Sequence, residues 1–271
     1  MVISGRDNPK IKRLIKLLSN RRARAAEGEF VIEGLRNCSD AAKQYLNGHH
    51  PELTAVFISS RAAEKYADTE YLKDLLKLDE RMLFYISDEI AGKVSDSEAS
   101  QGIFATARVL DKELVAQNIV SDGKYVVLDN IQDPGNLGTV IRTADAVGIN
   151  GIVLTNNCCD LYNPKTVRSA MGSISRIDTF IENDFASVIS RFSENGIVNV
   201  ASVVNSGEDL IDFGFPSGCA VYIGNEGCGM PSEHVEMCDR KVTISMHGSI
   251  ESLNAAMAAT IILWEMTRGE C

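Results

Sequence analysis

The stretch Tyr125–Gly148, YVVLDNIQDPGNLGTVIRTADAVG, predicts a strand, a turn and a helix in immediate succession. Tyr125 to Leu128 is a short apolar run, which is typical of a buried parallel strand. Asp133-Pro134-Gly135 ends the strand, because proline has no amide donor and glycine favours turns. We expect Asn136 to cap the helix that follows and Gly148 to end it. Because open α/β sheets bind ligands at such junctions, we expect a site here.

The predicted helix has one apolar face with an arginine beside it. The apolar residues lie at helical spacing and are Leu137, Val140, Ile141 and Ala144. Arg142 falls outside this stripe, so its side chain can reach over the carboxyl edge of the sheet. The alternative is an ordinary solvated surface arginine.

Two later stretches have features of ligand-binding loops. Gly224-Asn225-Glu226-Gly227 directly follows a predicted strand, and glycine there allows a backbone to approach a ligand closely. A simple turn explains the same residues equally well. Ser252 is placed to cap a closing helix, Ser252 to Arg268, with Leu253 and Asn254 in its first turn. No GxGxxG or GK[ST] loop occurs, which disfavours dinucleotide and nucleoside triphosphate sites.

Three ordered stretches together resemble the signature motifs of the SpoU (TrmH-like) family of RNA ribose methyltransferases, in the SPOUT superfamily. The first contains the DPGNLG turn and the IRTADA helix; the second is YIGNEGCGM, Tyr222 to Met230; the third is ISMHGSIESLNAAMAATIILWE, Ile244 to Glu265. The resemblance covers most of Lys124 to Arg268. It implies an α/β fold whose C-terminal parallel-sheet SPOUT domain is tied in a trefoil knot.

The resemblance also implies a cofactor, a set of site residues and a homodimer in which each site borrows residues from the partner. The residues expected around S-adenosyl-L-methionine are Leu154, Thr155, Gly224, Asn225, Ile244, Met246, Ser252 and Leu253. The catalytic residues expected to face the ribose and phosphate are Asn136, Arg142, Glu226, Ser252 and Asn254.

The chemistry implied is the displacement of a methyl group by a ribose 2'-hydroxyl. No histidine in the motifs occupies an obvious base position. A guanidinium is a poor base, so we assign Arg142 phosphate clamping and electrostatic stabilisation, with the phosphate as a candidate proton acceptor. The chain departs from the family at Ser245, where proline is usual, and at Ala255-Ala256, which stand in place of Val-Ser.

The N-terminal part predicts a smaller α/β domain. Strands expected at residues 28–34, 53–59 and 82–86 alternate with helices, including one from Ala62 to Leu76. The FVIEG stretch and Ser100-Gln101-Gly102-Ile103 are similar to the ribosomal-protein-like, RNA substrate-binding domain that often precedes SpoU catalytic domains. We therefore expect a substrate-binding domain at residues 1–108, a linker at 109–122 and the catalytic domain at 123–271. The alternative is another small α/β domain.

Charge is concentrated at the amino terminus. The chain of 271 residues has a formal charge of -10, yet residues 1–24 carry eight Lys or Arg and a single Asp. Ile11, Leu14, Ile15 and Leu18 predict an amphipathic helix within this segment. Its basic side chains are either a solvated face or an RNA footprint. The candidate RNA-binding residues are Lys10, Lys12, Arg13, Arg21, Arg22 and Arg24.

Composition limits the remaining possibilities. The longest apolar run, Ala255 to Trp264, is about half of the ~20 residues that a membrane span needs, and no secretory signal begins the chain. Seven scattered cysteines without a CxxC pair suit a reduced, cytoplasmic protein, and no His or Cys set has metal-ligand spacing.

The resemblance implies an RNA 2'-O-ribose methyltransferase, and we expect ribosomal RNA rather than transfer RNA as its substrate because a ribosomal-protein-like domain is expected. One alternative is a non-catalytic RNA-binding or ribosome-assembly protein that retains the knot, suggested by Ser245 and Ala256. Another is a methyltransferase for a small molecule or a protein, suggested by the acidic overall charge.

Overall fold

The structure, a computed structural model of the chain, describes residues 2–95, 100–155 and 157–270. The strands are β1 Val2–Ile3, β2 Glu29–Glu33, β3 Leu53–Ser59, β4 Leu83–Ile86, β5 Ile103–Arg108, β6 Lys124–Asp129, β7 Gly151–Thr155, β8 Asp178–Ile181, β9 Val198–Ser202, β10 Glu208–Asp209, β11 Cys219–Ile223 and β12 Arg240–Thr243. The α-helices are α1 Pro9–Ser19, α2 Arg21–Glu27, α3 Leu35–Leu46, α4 Ser60–Lys65, α5 Glu70–Leu75, α6 Asp88–Val94, α7 Pro134–Ala146, α8 Pro164–Ser169, α9 Phe185–Glu194, α10 Ser232–Met237 and α11 Ala255–Thr267.

These elements form two compact units. Unit 1 comprises Met1–Leu110 and Asp160–Ser175, and unit 2 comprises Asp111–Cys159 and Arg176–Cys271. The segment Asp160–Ser175, which contains α8, therefore belongs to unit 1, although the sequence placed it within the domain at residues 123–271. In the part of the chain that the structure describes, no helix is long and apolar enough to cross a membrane.

Unit 1 is built on a mixed five-stranded sheet with the order β1-β4-β3-β5-β2. Strand β5 pairs antiparallel with β2 and β3, and β4 pairs parallel with β1 and β3. The predicted amphipathic helix is present as α1, and Ile11, Leu14 and Leu18 are buried against the sheet while Ile15 is half-buried. Strand β5 and helix α6 were not predicted.

The segment Asp160–Ser175 is held to the rest of unit 1 by packing and by charge. The Tyr162 ring packs on Phe30 of β2 with centroids 4.6 Å apart, and its hydroxyl accepts a hydrogen bond from the Leu110 amide. Arg24, only 5% exposed, forms an ion pair with Asp160 and donates to the carbonyls of Leu17 and Leu18. Breaking such a buried pair leaves an uncompensated charge, so these contacts fix the segment firmly.

Unit 2 is a seven-stranded sheet with the order β10-β12-β9-β11-β6-β7-β8, and every pairing is parallel. The predicted parallel α/β sheet is therefore confirmed. The chain runs outward from β6 to β7 and β8 and then returns to the other side, so that β11 pairs with β6. This reversal is a topological switch point, and ligands of open α/β sheets bind in the crevice at that position.

Three predicted helix boundaries were wrong, each because another side chain caps the backbone. The helix expected from Ala62 to Leu76 is split into α4 and α5, since the Thr69 hydroxyl accepts from the Leu72 amide and starts a new helix. Asp133, not Asn136, caps α7, because its carboxylate accepts from the amides of the first turn. Asn254, not Ser252, caps α11.

Candidate active site

The loops that follow β6 and β11 meet at the switch point. The Asn225 side-chain amide donates to the Asn130 backbone carbonyl at 2.9 Å. This hydrogen bond joins the start of one loop to the start of the other. Asn130 has a φ of 60°, a left-handed conformation that asparagine tolerates better than most residues. The two loops are therefore fixed to each other by hydrogen bonds at the carboxyl edge of the sheet.

The carboxylate of Glu226 is the centre of this junction. It accepts from the backbone amides of Gln132 and Asp133, each at 3.1 Å, and from the Asn136 side chain at 2.9 Å. Burial raises the pKa of Glu226, but the hydrogen bonds from Asn136 and from backbone amides outweigh it and leave the pKa below the ordinary value of 4.5. Glu226 is thus held as a carboxylate.

Asn254 extends the same network to the start of α11. Its amide nitrogen donates to Asn136 Oδ1 at 3.1 Å, while its own Oδ1 accepts from the amides of Ala256 and Met257. A chain of hydrogen bonds therefore runs from Asn254 through Asn136 to Glu226. These three predicted site residues, which come from three separate motifs, lie together in the structure.

The loop after β11 folds back tightly on itself. Asn225 and Gly229 exchange two backbone hydrogen bonds, and Asn225 Oδ1 accepts from the amides of Gly227 and Cys228. A Cβ added at Gly224 would lie 2.3 Å from the Met230 amide nitrogen, which is far too close. Glycine is therefore required at position 224, whereas the nearest atom to a Cβ at Gly227 would be 3.5 Å away.

A cavity of about 300 Å³ opens beside this loop in unit 2. Six of the eight residues predicted to bind a cofactor line it: Gly224, Asn225, Ile244, Met246, Ser252 and Leu253. Glu226 lines it as well. The walls come from the loops after β9, β11 and β12 and from the segment before α11, so the cavity presents many backbone groups and few charges.

Leu154 and Thr155 are not among the residues that line this cavity. Both are buried on β7, which is separated from β11 by β6. The Thr155 hydroxyl donates to Asp129 Oδ1 at 2.8 Å. Their assignment to the cofactor site therefore stays a prediction.

Arg142 is exposed on α7 and makes no hydrogen bond or ion pair with the residues that the structure describes. It shares this helix with Asn136, and α7 packs against α11 through Thr143 and Thr260, whose hydroxyls are 3.2 Å apart. The guanidinium is therefore available to bind an anion. Ser252, another predicted catalytic residue, is exposed at the cavity wall.

The two departures from the family motif leave the cavity open. Ser245 donates a hydrogen bond to the Asp209 carboxylate at the end of β10. Ala256 is 2% exposed in the first turn of α11 and fills space rather than lining the cavity. Neither residue obstructs the lining loops.

The sequence analysis did not identify one largely buried polar pair, which joins His234 to Asp129. His234 Nδ1 lies 2.6 Å from Asp129 Oδ2, and its ring stacks on Phe185 with centroids 3.9 Å apart. The two residues are 105 positions apart, so no local spacing could reveal the contact. Among the described residues, no group of three or more His, Cys, Asp or Glu is placed to hold a metal ion.

The predicted RNA-binding residues of unit 1 differ in how available they are. Arg24 is buried in the ion pair described above, so its assignment to RNA binding was wrong. Arg13 contacts Glu27 and Glu29, Lys12 contacts Asp7, and Lys10 lies over the Phe84 ring. Only Arg21 and Arg22 of this set are exposed without a partner among the residues the structure describes.

Comparison with known proteins identifies the family. A model described as the SpoU rRNA Methylase family matches residues 123–264. The chain belongs to this family. A second model, described as an MRM3-like substrate binding domain, matches residues 8–105.

Relatives of this SpoU chain include two named methyltransferases. The 23S rRNA (uridine(2479)-2'-O)-methyltransferase of Streptomyces viridochromogenes is 30% identical over 267 residues, which cover 96% of this chain and 90% of that protein. The 23S rRNA (guanosine(2553)-2'-O)-methyltransferase RlmP of Bacillus subtilis is 31% identical over 183 residues, 68% of this chain and 71% of that one. The crystal structure of the SpoU methyltransferase AviRb from Streptomyces viridochromogenes, in complex with the cofactor AdoMet, matches with a TM-score of 0.83 and 28% identity, covering 97% of this chain and 98% of that chain.

We expect Glu226→Gln to lower the stability of unit 2 in a pH-dependent way. Folding lowers the pKa of Glu226, so the ionised carboxylate contributes to the stability of the folded state. This contribution is fully present above pH 4.5, the ordinary pKa, and is lost as the pH falls through the lower pKa of the folded state. Urea unfolding should show the variant less stable than the wild type at neutral pH, with the difference shrinking in acid. Glu233→Gln, an exposed residue of α10, is the control and should have little effect at any pH. An equal loss at neutral and acid pH would contradict the assignment.

Proposed function

We propose that this chain is an S-adenosylmethionine-dependent methyltransferase that modifies a ribose 2'-hydroxyl of ribosomal RNA. The observation that carries the proposal is the joining of a backbone-lined cavity to the Asn254, Asn136 and Glu226 network in a chain of the SpoU family. The relatives named as 23S rRNA 2'-O-methyltransferases support the same reaction and substrate class.

The cavity suits S-adenosylmethionine, which supplies a methyl group on a positively charged sulfur. The residues that would hold it are Gly224, Asn225, Ile244, Met246, Ser252 and Leu253. Gly224 lets the β11 loop fold back against Gly229 and Met230, because any side chain there would clash with their backbone, and this fold shapes the cavity wall. The apolar side chains of Ile244, Met246 and Leu253 suit an apolar ligand surface, and Ser252 adds a hydroxyl at the wall.

The polar network orients the RNA rather than accepting its proton. Both oxygens of Glu226 already accept hydrogen bonds, and these bonds hold the carboxylate ionised and stationary. Asn136 and Asn254 are fixed by Glu226 and by the α11 cap, so we assign all three to positioning of the ribose. Ser252 contacts substrate or cofactor at the cavity wall in this proposal.

Arg142 binds the phosphate of the target nucleotide in this proposal. A guanidinium stays protonated at neutral pH and can hold a phosphate by two parallel hydrogen bonds. Its charge stabilises the negative charge that develops on the 2'-oxygen, and the clamped phosphate is the candidate acceptor for the hydroxyl proton. The absence of a partner for Arg142 among the described residues leaves the guanidinium available for this role.

The finer features of the fold form part of the same proposal. We assign residues 1–108 to RNA substrate binding, 109–122 to a linker and 123–271 to the knotted catalytic domain, which acts in the cytoplasm. The match of residues 8–105 to a substrate binding domain supports the first assignment. We assign the segment before α11, which lines the cavity together with the β11 loop, as the threaded part of a trefoil knot.

A homodimer is supported by one face of α11. Met257, Ile261 and Trp264 are 51%, 41% and 56% exposed and recur at i, i+4 and i+7, so they form an apolar stripe. Because α11 packs on α7, which carries Asn136 and Arg142, a partner seated on this stripe lies beside the proposed catalytic residues. A shared site follows from that arrangement.

We expect Gly224→Ala to abolish binding of S-adenosylmethionine, because the added methyl group forces the β11 loop away from Met230. Isothermal calorimetry with S-adenosylmethionine measures this directly. Gly227→Ala is the matched control, since its Cβ meets nothing closer than 3.5 Å and binding should be retained. If the wild-type protein binds no S-adenosylmethionine, the proposed methyltransferase activity is ruled out and a non-catalytic RNA-binding role is favoured.

We expect Arg142→Ala to reduce methyl transfer about 10²-fold or more while cofactor affinity stays almost unchanged, because the lining of the cavity does not include this residue. Transfer of a radiolabelled methyl group to 23S rRNA transcripts gives the rate, and calorimetry gives the affinity. Arg142→Lys keeps the charge but loses the bidentate geometry, so its rate should lie between those of the wild type and Arg142→Ala. An alanine variant with the wild-type rate, or one that loses the cofactor instead, would show that the role is wrong.

We expect Ile261→Glu combined with Trp264→Glu to convert the dimer to a monomer, because two carboxylates would be buried in the apolar contact. Light scattering should give twice the chain mass of 29.5 kDa for the wild type and a single chain mass for the variant. Met237→Glu, which alters an exposed apolar residue of α10 instead, should remain dimeric. A wild-type protein that is monomeric at micromolar concentration would overturn the proposal.

A further inference from the structure

A second cavity, of about 240 Å³, opens in unit 1 at the start of α3. Its wall brings together three stretches that are far apart in sequence. Glu33, Arg36 and Asn37 come from the β2 to α3 junction, Gln101 precedes β5, and Arg168 and Met171 come from α8 and the turn after it. None of these residues belongs to the basic helix α1 or to the lining of the unit 2 cavity.

The local charge of this cavity is positive. Glu33 is 6% exposed, and its carboxylate is neutralised by Arg168 at 2.9 Å and by hydrogen bonds from Ser95 and Ser100. Arg36 is exposed and has no ion pair or hydrogen bond with any described residue. One full positive charge at the rim is thus uncompensated. By contrast, several basic residues of α1 and α2 are already paired with carboxylates.

The cavity also offers a donor and an acceptor that are held in place. Gln101 uses Oε1 to accept from the Leu35 amide at 2.7 Å, which leaves its Nε2 to donate. Asn37 uses Nδ2 to donate to the Glu33 carbonyl at 3.1 Å, which leaves its Oδ1 to accept. The paired donor and acceptor match the edge of a nucleobase, whose hydrogen-bonding groups alternate in the same way.

An apolar side chain completes the wall. Met171 is 41% exposed and adopts a φ of 50°, a left-handed conformation that is uncommon for a residue other than glycine. A flexible, polarisable methionine side chain makes favourable contacts with aromatic rings. The cavity therefore offers a cation, a polar edge and an apolar surface within one small space.

We propose that this cavity holds one unpaired nucleotide of the RNA substrate, an inference that rests on the proposed function and adds a substrate contact to it. Arg36 binds the phosphate, assisted by the guanidinium nitrogens of Arg168 that do not contact Glu33. Gln101 and Asn37 contact the edge of the base, and Met171 contacts its face. Proteins that recognise RNA sequence mostly contact the unstacked bases of loops and bulges. In duplex RNA the major groove is too narrow for side chains to reach the base edges, and recognition depends mostly on shape.

The test uses the full-length protein with Arg36→Glu and two labelled RNA probes. One probe is a single-stranded oligouridine of about 12 nucleotides, and the other is an RNA duplex of the same length. We expect the variant to weaken binding of the single strand about tenfold and to lower the slope of its salt dependence by about one, with a much smaller effect on the duplex. Arg61→Glu is the matched control, since Arg61 is also exposed without a side-chain partner among the described residues.

The enzymatic readout separates this contact from the active site. With 23S rRNA transcripts as substrate, Arg36→Glu should raise KM about tenfold and leave kcat and the affinity for S-adenosylmethionine unchanged, and Arg36→Lys should restore most of the loss. The inference would be overturned if the affinity of Arg36→Glu for the single strand lay within about twofold of that of Arg61→Glu. An equal loss of affinity for the single strand and for the duplex would also overturn it. If the wild type neither binds S-adenosylmethionine nor transfers methyl groups, the proposed function fails, while the oligouridine experiment still decides whether the cavity holds a nucleotide.

Discussion

The hydrogen bonds that Glu226 accepts hold the proposed active site together. Its carboxylate lies on the loop after β11 but accepts from two backbone amides and one side chain of the segment that begins α7. The two backbone donors, Gln132 and Asp133, lie in the loop directly before α7, and Asn136 lies in the first turn of that helix. Amides at the start of a helix lack partners within the helix. A negative charge at this position therefore satisfies several donors at once and joins the loop after β11 to the loop after β6. The positions of Asn136 and Asn254 depend on this contact.

Charge in unit 1 has two different uses, and burial distinguishes them. Arg24 and Arg13 lie in the strongly basic opening segment, yet they stabilise the fold by pairing with Asp160 and with Glu27 and Glu29. A basic run in the sequence therefore overstates the charge available to RNA. Among the described residues of unit 1, the exposed cations without an ion pair include Arg21 and Arg22 and, outside the run, Arg36 and Arg61. This also reconciles an acidic chain with a nucleic-acid substrate, because binding depends on the few cations that remain unpaired.

Most of the unit 2 sheet was predictable because buried parallel strands are continuous apolar runs. Strand β6, predicted from Tyr125 to Leu128, extends one residue further at each end. The helix caps were less predictable, because Asp133 and Asn136 are both good caps and only Pro134 at the first helical position selects Asp133. Strand β5 was missed because its alanines and threonine give a weak signal, and the assignment of Asp160–Ser175 to unit 1 depends on long-range contacts such as Tyr162 on Phe30.

For the candidate site, the motifs indicated the right loops but not all of their neighbours. Asn136, Glu226 and Asn254 were predicted as separate motif residues, and the structure places them in one network. Leu154 and Thr155 lie on β7 and do not line the cavity. The motif pattern does not say which strand edge faces it. The Asp129 and His234 pair could not be predicted, since neither residue has a local partner and their contact exists only once β6 and α10 are packed.

That missed pair explains how a loop rich in glycine can present an ordered surface. The segment from Gly224 to His234 follows β11 directly, is anchored near its start by Asn225 and Glu226, and is anchored at its end by His234 on the buried Asp129. Asp129 is itself the last residue of β6, the strand whose following loop carries the donors to Glu226. Both ends of the loop are therefore held by β6 or by the residues that directly follow it. Because a loop fixed in this way loses little conformational entropy when a ligand binds, its backbone groups can hold a cofactor without contributing strongly charged side chains.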